Sequence, residues 1–139
     1  MQSYREKFGN LKFGSPATAR DVFDLSTRLC TVLPACYRAF LLEANGAVGF
    51  TSSEEEAHYV DLWSFDRVES VPQGKGHLPG IIIGSNGAGE GICLTALDER
   101  TVYGLLPFVG PLKNDFIPVS DTLFGFLLCP NWFEADYGV

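Results

Sequence analysis

The feature that most constrains this 139-residue chain is a single change of hydrophobic period at Asn45-Gly46. Before it, Val22, Leu25, Leu29 and Val32 fall 3, 4 and 3 residues apart, and Tyr37, Phe40, Leu41 and Ala44 form a second apolar stripe at helical spacing. After it, short β-rich runs bounded by glycine and proline take over. One switch of period excludes alternating βαβ units. It predicts an α+β domain, with helices first, an antiparallel sheet in the middle and a helix at the end.

Local signals refine this order. Ser15-Pro16 reads as a helix start, a capping hydroxyl followed by proline in the first turn. Leu33-Pro34 breaks the chain, and Pro34 opens a second helix that ends at Asn45-Gly46, where glycine suits the left-handed position. Strands are expected at Ala47–Phe50, His58–Trp63 and Pro79–Gly84, the last with three consecutive isoleucines between glycines. Ile92–Ala96 and Thr101–Leu106 form a hairpin around Leu97-Asp98-Glu99-Arg100, and Phe116–Val119 adds an edge strand. Ser64–Val71 is a short helix or turn, and Asp121–Leu128 is the final helix. The sheet is therefore expected to hold about four to six strands.

No repeat or linker divides the chain, so residues 1–139 are expected to be one domain, with a core at about 17–128 and extensions at 1–14 and 130–139. The longest uncharged apolar runs, Thr101–Leu112 and Thr122–Phe133, fall short of the ~20 residues that span a bilayer. The first twenty residues carry Arg5, Lys7, Lys12 and Arg20 without an apolar stretch, which does not read as a secretory signal. Cys30, Cys36, Cys93 and Cys129 form no CxxC pair, and His58 and His77 have no ligand neighbour at metal spacing. The expectation is a cytoplasmic protein with reduced thiols and neither metal nor cofactor.

The net charge of −7 repels phosphate, which argues against free nucleic acid and anionic membranes as partners. The acids are unevenly placed. Glu43–Glu69 holds seven acids against one base, Arg67. Glu54-Glu55-Glu56 reads either as a solvated loop or as part of a face for a basic partner.

The run Gly84-Ser85-Asn86-Gly87-Ala88-Gly89-Glu90-Gly91 invites a nucleotide reading and fails its context tests. Glu90 stands where a phosphate loop has lysine, and a strand follows instead of a helix N-terminus. The run reads as a flexible β-connection, and no nucleotide is expected. Neither Cys36 nor Cys93 has the context of a nucleophile, and no carboxylate pair can be assigned to general acid–base work. The chain is not expected to be an enzyme.

Leu33-Pro34-x-x-Tyr37-x-x-Phe40-Leu41-x-x-x-Asn45-Gly46 resembles the signature of the SUKH superfamily, which includes fungal cell-wall-synthesis regulators and many bacterial immunity proteins. Ile82-Ile83-Gly84 through Gly89-Glu90, Leu97-Asp98 through Val102-Tyr103, and Val119–Leu128 with Ser120, Phe124 and Leu127 continue the resemblance in order. Ala47 stands where the family usually has a second glycine.

The resemblance implies a single α+β domain with a strongly bent antiparallel sheet flanked by helices, and no general catalysis or cofactor. It further implies an antitoxin that blocks a secreted polymorphic toxin, often a nuclease or deaminase. With the acidic segment, the expected partner is a basic toxin domain. The candidate contact residues are Glu54, Glu55, Glu56, Asp61, Trp63, Asn86 and Glu90. The alternative reading is a regulatory or scaffold module unrelated to toxin immunity.

Overall fold

Helix α2 (Ala19–Arg28) starts at Thr18, three residues later than Ser15-Pro16 would place it. Thr18 Oγ1 accepts from Asp21 N–H at 3.1 Å and Asp21 Oδ2 accepts from Thr18 N–H at 3.0 Å, a reciprocal capping box that Ser15 cannot form. The helix stops before Val32, which was expected on its inner face and instead is 85 % exposed. The helix has already ended at Leu29, and Leu33-Pro34 prevents it from resuming before α3, because the residue before a proline is pushed out of helical geometry. Pro34 then caps α3 (Ala35–Glu43), which buries Tyr37, Phe40 and Leu41.

The structure, a computed structural model, describes residues 3–29, 31–53, 57–70, 80–97, 100–107, 116–129 and 132. Strands β2 (Ala47–Phe50), β3 (Tyr59–Leu62), β4 (Gly80–Ser85), β5 (Glu90–Leu97), β6 (Arg100–Pro107) and β7 (Ile117–Ser120) occupy the six expected places. Short helix α4 (Phe65–Ser70) follows β3, and α5 (Leu123–Leu128) closes the order. Each strand pairs antiparallel with its neighbours in chain order, so the sheet is a meander.

Among the described residues the sheet has seven strands rather than four to six. The additional strand is β1 (Leu11–Phe13), which pairs with β2 through Leu11↔Gly49, Lys12↔Val48 and Phe13↔Ala47. It follows α1 (Tyr4–Lys7), and both lie in the segment expected to be an extension. Three strand residues are too few to show a period. Tyr4, Phe8 and Leu11 are buried in the core, with Tyr4 and Phe8 packed against Phe124 at 5.3 and 5.2 Å between ring centroids. Glu43 at the end of α3 holds α1 in place, its carboxylate accepting from Tyr4 N–H at 3.1 Å and Arg5 N–H at 2.7 Å.

Leu33, Tyr37, Phe40 and Leu41 share one core with Ile83, Ile92 and Leu105, so the helices and the sheet bury a common interior. Tyr103 is fully buried, and its hydroxyl lies 2.8 Å from Cys36 Sγ. Burial pushes the Tyr37 and Tyr103 phenols above their ordinary range. Trp132 is also buried, stacked on His58 and Phe126, with its indole N–H donating to Phe126 O at 2.8 Å. No helix among the described residues is long and apolar enough to cross a membrane.

Phe40 is 1 % exposed, so Phe40→Ala is expected to cost ~3–5 kcal/mol in urea unfolding. Val32→Ala, at an exposed position, should stay within ~0.5 kcal/mol. A loss below ~1 kcal/mol for Phe40→Ala would place the ring outside the core.

Candidate interaction site

Strand alternation decides which side chains of β3 are available. Val60 and Leu62 are buried, whereas Tyr59 and Asp61 lie on the opposite, outer face. Register extends this face across the sheet: Lys12 lies opposite Val48, Val48 opposite Asp61, and Asp61 opposite Ser85. One step along, Phe50 lies opposite Tyr59. Their rings meet edge-on at 5.6 Å, and they remain 55 % and 38 % exposed.

The β4–β5 turn closes over the end of this aromatic pair. Asn86 builds the turn, its Oδ1 accepting from Ala88 N–H at 2.9 Å and Glu90 N–H at 3.2 Å. Its amide Nδ2 donates to Glu90 Oε1 at 2.9 Å, which fixes the direction of that carboxylate. Gly87 has φ +75°, and a Cβ there would stand 2.9 Å from the Tyr59 ring, so glycine lets the turn backbone rest on the aromatic face. The glycine-rich run therefore makes a hairpin connection, with Glu90 already in the following strand.

Asp61 is half-buried, and Arg67 Nη1 of α4 comes within 3.9 Å of its Oδ2. The same guanidinium sits 4.9 Å above the Trp63 ring. Trp63 itself is only 6 % exposed, so it packs in the core and is presented to the surface through the Arg67 that covers it. Its Nε1 has no hydrogen-bond partner among the described residues. Of the residues singled out from sequence, Asp61 thus lies on the outer face of β3 and Asn86 in the turn whose Gly87 rests on Tyr59, whereas the register carries the Asp61 face through Ser85 to Gly91, so Glu90 starts β5 on the other side. Glu54, Glu55 and Glu56 lie outside the described residues, in the chain connection between β2 and β3. The base of that connection is clamped: Thr51 N–H donates to His58 O at 2.9 Å, and His58 N–H donates to Thr51 Oγ1 at 3.0 Å.

Phe50, Tyr59 and Arg67 were not among the expected contact residues. Tyr59 was legible as an outward position of an alternating strand, but the pairing of Phe50 with Tyr59 needs the register. Among the described residues no three His, Cys, Asp or Glu side chains converge as metal ligands. Cys36 and Cys93 are free thiols. Burial pushes the Cys93 thiol up to about 12, which leaves it protonated and a poor nucleophile at neutral pH.

A family model described as the SMI1 / KNR4 family (SUKH-1) matches residues 16–131. No curated protein matches the chain.

Asn86→Ala removes the acceptor of two turn amides. Hydrogen exchange at Ala88 and Glu90 N–H is expected to accelerate roughly tenfold, the equivalent of one ordinary hydrogen bond, with Val60 N–H unchanged. Unaltered exchange at both amides would show that Asn86 does not hold the turn.

Proposed function

The chain belongs to the SMI1 / KNR4 family (SUKH-1), and on that premise we propose that it is a cytoplasmic immunity protein that binds and blocks a basic toxin domain. It works by binding, not catalysis. The observation that carries the reading is the outer region built by Phe50, Tyr59, Asp61 and the Asn86–Glu90 turn. Exposed aromatics beside a carboxylate are the chemistry of a protein-binding hot spot. The β2–β3 connection contributes Glu54, Glu55 and Glu56 in sequence, which adds three negative charges to the segment that follows Phe50.

Division of labour follows from the physics. The carboxylates steer a basic partner and raise its association rate, whereas the aromatic pair, once desolvated, slows dissociation. Arg67 and Lys12 limit the local charge around Asp61, so the steering field rests mainly on the acidic connection and Glu90.

The test is co-expression with the product of an adjacent toxin gene, scored by growth, followed by binding kinetics. Raising salt should slow association, because exposed charges are screened over ~8–10 Å at physiological ionic strength. Changing Glu54, Glu55 and Glu56 together to Lys should lower the association rate on the order of tenfold with an unchanged melting temperature. Phe50→Ala should instead raise the dissociation rate. The absence of a neighbouring toxin, of rescue and of a complex would favour the regulatory-module reading. Full protection by the triple Lys variant, with an unchanged association rate, would overturn the acidic-steering mechanism alone.

A further inference from the structure

A second surface of different chemistry lies on the helical side. Phe23 of α2, Val32 in the α2–α3 connection and Leu42 of α3 are 65 %, 85 % and 45 % exposed. All three line one cleft of about 530 Å³. Its other lining includes Ala35 and Ala39, which stand one turn apart on the exposed side of α3. The same two alanines line a neighbouring cleft of about 730 Å³ that reaches Tyr4 and Phe124, so the apolar surface continues around α3. Single exposed apolar residues need no explanation, but a contiguous group of large ones marks an interaction site.

Charge narrows the occupant. Among the described residues, Arg38 is the only charged one lining the first cleft. Among the described residues it makes no ion pair or side-chain hydrogen bond, whereas Arg20, Arg28 and Arg67 pair with Asp24, Glu69 and Asp61. Two copies of this chain joined through the cleft would set guanidinium against guanidinium with no carboxylate in the lining. Residues 19–43 carry Arg20, Arg28 and Arg38 against Asp21, Asp24 and Glu43, a local balance of zero in a chain of net −7. An acidic residue can therefore approach here without the repulsion it meets elsewhere. Small residues on an exposed helix face allow close approach of another backbone, and a two-helix groove accepts a third helix.

We propose that the α2–α3 cleft docks an amphipathic helix of a partner protein, whose large apolar side chains fill the cleft and whose carboxylate pairs with Arg38. This surface is independent of the outer sheet face and stands whether or not that face binds a toxin.

The test pans a phage-displayed library of random peptides of about 16 residues on the wild-type protein and synthesises the enriched sequences. Enriched peptides should place large apolar residues three or four apart and include Asp or Glu. Affinity should fall about tenfold or more with Leu42→Glu and with Arg38→Gln, and stay unchanged with Phe50→Ala. Amidating the peptide acid should cause the loss seen with Arg38→Gln, and combining both changes should add little further. Thermal melts establish that the variants fold. No enrichment, or enriched peptides that bind Leu42→Glu as well as wild type, overturns the proposal. So does a concentration-dependent dimer in sedimentation equilibrium that Leu42→Glu abolishes, since the occupant is then a second copy.

Discussion

Asn45-Gly46 is the point at which helices, sheet and outer surface are fixed relative to one another. Asn45 N–H donates to Ser15 O at 2.9 Å, and Gly14 N–H donates to Gly46 O at 3.0 Å, so the segment before α2 is tied to the end of α3. Asn45 Oδ1 accepts from Phe65 N–H at 2.8 Å and thereby caps α4. Gly46 adopts φ +97°, and a Cβ there would stand 2.9 Å from Leu62 O and 3.1 Å from Ser64 N. Gly14 is equally constrained, since its Cβ would stand 2.5 Å from Asn45 O. β2 begins at the next residue, so the junction determines where Val48 meets Asp61 and Phe50 meets Tyr59.

From this junction the domain presents two surfaces of different chemistry. The outer face of β2 and β3 joins two aromatic rings to the Asp61 carboxylate, a combination that the proposed function assigns to a charged, specific partner. The α2–α3 face joins aliphatic and aromatic side chains to one uncommitted guanidinium, and suits an apolar segment with a single acid. Both are decorations on an interior that uses the opposite sides of the same elements: Val60 and Leu62 behind Tyr59 and Asp61, Tyr37 and Leu41 behind Arg38 and Leu42. Substitutions on either surface are therefore expected to have little effect on the core.

Much of this fold was legible in the chain because the helical and strand periods are locally strong. The ends of α3 and the places of six strands follow from Pro34, Gly46 and the alternating runs. The start of α2 was misplaced because Ser15-Pro16 matches a start signal, while the decisive feature is a reciprocal bond between Thr18 and Asp21. β1 was missed because Leu-Lys-Phe acquires strand identity only from pairing with β2. The site was half legible. Asp61 drew notice by charge and Asn86 by glycine context, and Trp63, a large aromatic for which core packing is the better sequence reading, packs in the core under Arg67. Phe23 and Leu42 escaped notice because they fall off the stripes that face inward, and their shared cleft exists only once α2 and α3 are packed together.

Urea unfolding of Gly46→Ala beside Gly89→Ala tests the junction most directly. Both glycines have φ +97°, so both variants carry the same left-handed strain, about 1–2 kcal/mol. A Cβ at Gly89 meets nothing within 4 Å, whereas at Gly46 it presses on the Leu62 carbonyl. Gly46→Ala is expected to lose at least ~1 kcal/mol more than Gly89→Ala, the cost of forcing packed backbone apart. Equal losses would mean that the close approach of Gly46 to β3 does not hold helices and sheet in register.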